Sequence, residues 1–371
     1  MKRALGCLLL AGALAAFAQE KPPAPTAAFR TDGGDEKLPW HEIKPGEFPP
    51  EGSSHYIAGE LIGLDHINRT GTLRPDRRTD QRTDDYDRPL PFTLLPYASM
   101  RYHGAPAELR DLPIGTHLHG AWYFEAKAGK DKKGAFTQIF RLEDDFSFHE
   151  RQQRTWRVDA VQLDKGTLTV TGQTGAENKP DEKSLIYKIT PATRVWKGTG
   201  FGKLEDLAPG QAVLINITVA TLKGPGRCTD IWLDPESRKL ATAHQLEVHR
   251  LHQKSRGIPG WVNAVDDAQN TVTVTLFGGS DPKLLEEMKK GSGVHTAVAE
   301  ASLRSYDQSS DALTATVSEV NAVPLVPGSS GVQLVFKPEI MLEGFRPGRF
   351  LRLISQSWRI DDLPYEERLY K

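Results

Sequence analysis

The chain has 371 residues, a formal net charge of −1 and 38% hydrophobic residues. A near-neutral surface lacks the basic footprint that nucleic-acid binding requires. Two cysteines, Cys7 and Cys228, are too few for zinc or iron–sulfur sites built on cysteine clusters.

The first element is MKRALGCLLLAGALAAFAQ. It has a basic start (Lys2, Arg3), an apolar run from Leu5 to Leu14 and a small-x-small end at Ala16-Phe17-Ala18, the pattern of a secretory signal over residues 1–18. The run is shorter than the roughly 20 apolar residues a spanning helix needs, and no later segment is apolar enough. The chain is therefore expected to be exported, periplasmic or at the cell surface, and not membrane-spanning. Loss of the signal leaves Cys228 as the sole cysteine, which allows no internal disulfide. Residues 19–54, with KPPAP and GEFPPEGSS, read as a flexible Pro/Gly-rich leader that cannot bury enough surface to order itself.

Self-similarity organises the rest of the chain. Offset by 95 residues, Pro96–Gly115 lies over Pro191–Gly210 without a gap, matching Pro, Leu, Asp-Leu and Gly positions. Offset by 104, Val158–Val170 lies over Val262–Val274. Three units are expected: barrel 1 over 55–143, barrel 2 over 156–233 and barrel 3 over 258–371. Helical linkers are expected over 144–155 and 234–257, the second with an approximate apolar stripe of Leu240, Ala243, Leu246, Val248 and Leu251. Unit 2 shows the elements best: a strand from Arg157 to Leu163, a turn at Asp164-Lys165-Gly166, and a return over Thr167–Thr171. A polar loop comes next over 172–183, then a strand over Ser184–Thr190. A helical turn at Leu204–Leu207 is stopped by Pro209-Gly210, and two more strands run over Gln211–Val219 and Arg227–Leu233. Five strands with a turn between the third and fourth describe a small Greek-key barrel of the OB type, with an SH3-like barrel as the competitor. Unit 3 carries an insertion from about 278 to 331, with a helix expected over Pro282–Lys290.

Chemistry concentrates in unit 1. The fourth-strand parity Val213, Ile215, Ile217 places Leu118, Gly120 and Trp122 inward in unit 1, so His117 and His119 share the outer face. A His-x-His pair is half of a copper or zinc site, which His66, His103 or Asp65 would complete. The plain alternative is a polar outer barrel face. His244, His249 and His252 on the second helix read as solvated, with His149 weaker still as a ligand. The stretch GTGFGK (198–203) lacks the Ser/Thr and long helix of a phosphate loop, and the loop Arg74–Arg88 mixes Arg and Asp too evenly to trap an anion. No nucleophile elbow, His-Glu-x-x-His or cysteine signature is present.

The unit pattern (VDAV at 158–161, TLTV at 167–170, ITPATRV at 189–195, DLAPGQAV at 206–213) resembles tandem small β-barrel domains of unknown function from exported bacterial proteins. It is loosely similar to periplasmic copper chaperones of the CusF type, which are small OB barrels. That family's ligands are a His, two Met and a Trp, whereas Met100, Met288 and Met341 are widely separated here, so the resemblance implies a fold and no site residues. The expectation is a mainly β chain of three tandem OB-like or SH3-like barrels joined by helical linkers. Its expected role is non-catalytic, as a binding or scaffolding module for a protein or glycan partner. Copper or zinc binding by His117, His119, His103 and His66, or a hydrolase site in a cleft between units 2 and 3, are the alternatives.

Overall fold

A computed structural model describes residues 41–76, 89–125, 135–218, 226–298 and 312–358. The expected signal, most of the leader with Trp40, and the greater part of the Arg/Asp-rich loop lie outside the described residues. Among the described residues, no helix is long and apolar enough to cross a membrane.

Six strands form the first unit: β1 (His55–Asp65), β2 (Thr70–Pro75), β3 (Leu90–Tyr102), β4 (Ala105–Ala107), β5 (His117–Glu125) and β6 (Ala135–Asp144). Five of them close a ring in the order β2-β1-β5-β6-β3, with β3 returning to β2 and β4 hanging on β3. Alternation along these strands turns Leu61, Leu73, Leu118, Trp122, Ile139 and Leu142 into the ring, all fully buried. Each such side chain contributes about 1.5–3 kcal/mol of burial.

A short helix, α1 (Asp145–Arg151), leads into the second unit: β7 (Arg154–Gln162), β8 (Thr167–Thr174), β9 (Lys179–Lys188), β10 (Arg194–Lys197), β11 (Gly200–Phe201), β12 (Ala212–Ile217) and β13 (Cys228–Trp232). The expected helix over 144–155 is shorter because Gln153 takes a positive φ of 52°. The chain then turns into β7, whose Trp156 pairs across to Val213 and Gly172. The expected polar loop over 172–183 is instead the two arms of the β8–β9 hairpin. Of the three expected barrels, this middle one is not closed. Its strands make one sheet in the order β11-β10-β13-β12-β7-β8-β9, and the end of β9 meets the β13 side through a single bridge from Lys188 to Arg227.

Helix α2 (Pro235–Arg256) precedes β14 (Ile258–Asp266), β15 (Thr271–Phe277), α3 (Pro282–Glu287), β16 (Gly293–Val298), β17 (Ala312–Ala322), β18 (Ser329–Pro338) and β19 (Phe350–Ser355). The last unit closes as β14-β15-β18-β17-β16-β19. The expected insertion is thus no loop appendage, since β16 and β17 are two of six staves in the wall.

Matching local geometry recurs along the chain. The first hairpin strand bulges at Leu61/Gly63, at Val158/Ala160 and at Val262/Ala264. Gly115, Gly210 and Gly348 all have φ between 82° and 93°, a region that favours glycine. Their N–H groups donate to Leu61, Val158 and Val262 carbonyls at 2.7, 2.7 and 2.8 Å. A 3-10 turn sits before the first two glycines, and Asp111 and Asp206 each accept a backbone N–H three residues upstream at 2.8 Å.

Helix α2 departs from its expected stripe. Leu240 is 45% exposed, while Gln245, His249 and Gln253 are buried. The helix packs on turns whose polar backbone needs partners. Gln245 donates to Pro106 O, Thr242 to His103 O and His249 to Gly279 O, while Gln253 Oε1 accepts from Asp281 N. Between the two closed barrels lies an aromatic seam of Tyr97, Phe140, Trp261 and Phe277. Phe48, from the expected flexible leader, packs into it with its ring 4.3 Å from Trp261.

Candidate metal centre

Strand parity holds at β5. Leu118 and Trp122 are inside the first barrel, and His117 and His119 are on its outer face. That face is not open to water: the two histidines are 4% and 6% exposed. The cover is α1, which comes directly after β6, the neighbour of β5. Asp144 starts the helix as its N-cap, accepting from Ser147 N at 3.0 Å and from Asn216 Nδ2 at 3.0 Å. The next residue, Asp145, therefore meets the β5 histidines.

Asp145 Oδ1 accepts from His117 Nδ1 at 2.7 Å and from His119 Nε2 at 2.9 Å, and Oδ2 accepts from Ile217 N at 2.9 Å. One carboxylate thus joins barrel 1, α1 and strand β12 of the second sheet. Each imidazole has a further partner on its other nitrogen. His117 Nε2 donates to Asp76 Oδ2 at 3.0 Å, and the Tyr56 hydroxyl donates to His119 Nδ1 at 2.7 Å. His119 is also stacked flat on Phe148 at 3.7 Å.

The charges result from these contacts. Burial opposes protonation of His117, but Asp145 and Asp76 outweigh it and hold the imidazole well above its usual range. Burial, with the His117 cation beside it, lowers His119. Burial alone would raise Asp145, yet the two histidines hold it far below the usual carboxylate range. The centre is accordingly a carboxylate, an imidazolium and a neutral imidazole.

Three donor atoms, on His117, His119 and Asp145, lie within 4.8 Å of one another. The two imidazole centroids are 5.0 Å apart, and two histidines on one tetrahedral ion with bonds of about 2.0–2.1 Å would sit at about 5 Å. His149 lies one helical turn beyond Asp145, with its ring 6.0 Å from that of His119. Burial and the neighbouring His119 push it down to about 3, and its Nδ1 is buried without a hydrogen-bond partner.

The other sequence candidates lie elsewhere. His66 is exposed in the β1–β2 turn, and Asp65 accepts locally from Asn68 N at 3.0 Å. His103, in the β3–β4 turn, is stacked on Tyr102 at 3.7 Å and packs against Trp232. His244 is exposed, His249 is buried on Gly279 O, and His252 Nδ1 lies 3.3 Å from Arg110. Sequence reasoning missed Asp145, Asp76 and Tyr56. The one available signal was an Asp-x-x-x-His spacing, which places Asp145 and His149 on one helix face. Comparison with protein-family models and with curated proteins finds no match to this sequence.

Proposed function

We propose that the protein is an exported, non-catalytic metal-binding protein, built from copies of one OB-like unit, that holds a zinc or copper ion at His117, His119 and Asp145. One observation carries the reading: a strand pair of histidines and a helical carboxylate converge, buried, with their donor atoms within 4.8 Å. The arrangement outside the donors supports it. Metal-bound histidines usually donate their second N–H to an oxygen acceptor, and Asp76 and the Tyr56 hydroxyl stand at those nitrogens. His149, outside those three donors but with an unpartnered Nδ1 and its ring 6.0 Å from that of His119, would have to turn toward the ion to serve as a fourth ligand. The site's mixed nitrogen and oxygen donors suit zinc or copper and not calcium or magnesium. With His149 turned in, the site would have four protein ligands and no open position, the structural or storage kind and not the catalytic kind.

Binding would displace the protons shared between the histidines and Asp145, and would spread donors now 2.7 and 2.9 Å apart to about 3.3 Å. Calorimetric titration of chelator-treated protein with zinc chloride and with copper tests this. The reading requires one ion per chain, proton release that grows as pH falls, and loss of binding in H117A/H119A. A second reading is favoured by the saturation of Asp145, whose oxygens already accept three hydrogen bonds. In it the cluster is an ionic staple between barrel 1 and the second sheet, and the titration shows no heat above dilution.

A further inference from the structure

A cavity of about 260 Å³ lies where barrel 1, the C-terminal end of α2 and barrel 3 meet. It is distinct from the histidine centre, and it is not the cleft between units 2 and 3 anticipated from the sequence. Its wall carries four guanidinium groups, Arg69, Arg110, Arg256 and Arg352, against a single carboxylate, Glu108. These arginines come from separate elements: the β1–β2 turn, the 3-10 turn before β5, the end of α2, and β19. Their convergence is a product of how the units pack, so it has no sequence motif.

Ordinary surface arginines are solvated and scattered. Here Arg69 has a side chain only 11% exposed; its Nη2 donates to Leu95 O at 3.0 Å, its Nη1 is a long 4.0 Å from Glu108, and its Nε is buried without a hydrogen-bond partner. Across the cavity Ser280, itself 8% exposed, has a buried hydroxyl with no partner. Leaving such buried groups without a partner is destabilising, and the polar groups of a ligand would satisfy both. Ile67, Pro96 and Pro259 add accessible apolar surface to the wall, so the cavity offers both charged and apolar contacts.

We infer that this cavity is a binding site for a small organic anion with a carboxylate or phosphate head on an apolar body. Arginine forks match both head groups with paired N–H donors, Ser280 offers a hydroxyl to the same head, and Ile67, Pro96 and Pro259 take the body. The site does not depend on whether the histidine centre holds a metal.

The test is titration of the full chain with benzoate, phenyl phosphate and benzyl alcohol, read by calorimetry and by shift of the unfolding temperature. Saturable binding of benzoate or phenyl phosphate, with benzyl alcohol at least tenfold weaker, supports the site, and the tighter anion names the head group. Arg69→Gln removes the buried guanidinium, and Arg110→Gln removes one in the 3-10 turn that lies 3.3 Å from His252 Nδ1 and 3.9 Å from Asp111. Each should weaken the anion by roughly tenfold or more, the loss of one charge-assisted hydrogen bond. Equal binding of benzyl alcohol, no binding of either anion at millimolar concentration, or anion binding unchanged in Arg110→Gln and in folded Arg69→Gln would overturn the inference.

Discussion

Asp145→Asn is the sharpest perturbation of the centre, because it keeps the shape of the side chain and removes its charge. The carboxylate accepts from His117, His119 and Ile217 N at 2.7, 2.9 and 2.9 Å. An amide must turn its NH2 either toward Ile217 N–H or toward the two imidazole N–H groups, so at least one donor faces a donor. The buried His117 cation would then keep only Asp76, whose side chain is 35% exposed. Losing one or two of these three bonds, at about 1.5–3 kcal/mol each, agrees with the roughly 3–5 kcal/mol lost when a buried pair is broken. Guanidinium unfolding of chelator-treated protein should therefore show a loss of about 3–5 kcal/mol in the transition that includes barrel 1. The contrasting variant, Asp76→Asn, removes a partly exposed partner and should cost about 1 kcal/mol or less. A loss below about 1 kcal/mol for Asp145→Asn, or equal losses for the two variants, would refute the reasoning that the Asp145 network is buried and interdependent.

Acid should expose His149. Its folded value near 3 lies below the ordinary 6.5, so the unfolded chain binds the proton first. Stability from this group is full above about pH 6.5 and falls by about 1.4 kcal/mol per pH unit on the way down to about 3. His149→Gln in chelator should flatten the wild-type slope between about pH 6 and 4, and identical slopes would contradict the burial of this ring. Cys228 is 1% exposed and its thiol is pushed up by burial, so it should stay unlabelled by thiol reagents until denaturant unfolds the chain; fast native labelling would count against the packing of β13. Gly210 has φ 86° with no atom within 4 Å of a would-be Cβ. Gly210→Ala should then cost about 1–2 kcal/mol from backbone strain alone, measured by the same unfolding, and a neutral result would deny the shared turn geometry.

How much of this was legible in the sequence depends on how local each cause is. The β7–β8 and β14–β15 hairpins were readable because alternation and a Gly- or Asn-containing turn fix them over a dozen residues, whereas the matching bulges at Val158/Ala160 and Val262/Ala264 appear only in the structure. The parity of His117 and His119 was readable for the same reason. Their burial was not, because it depends on α1 folding back across β5 and being held there by β12, and Asp145 read only as an acidic helix start. Helix α2 misled for a physical reason: its buried face is Gln245, His249 and Gln253, chosen to satisfy carbonyls and amides of other units. The closure of the last barrel through β16 and β17, and the openness of the middle sheet, arise from pairings between distant segments that no local pattern encodes.

The central claim is that His117, His119 and Asp145 hold one ion. The most direct measurement is the metal content of protein purified from the exported fraction, compared among wild type, H117A/H119A and the control H66A/H103A. The account predicts one zinc or copper per chain in wild type and in H66A/H103A, and none in H117A/H119A. No stoichiometric metal in wild type, or metal that survives in H117A/H119A, would contradict it and leave the cluster as a staple.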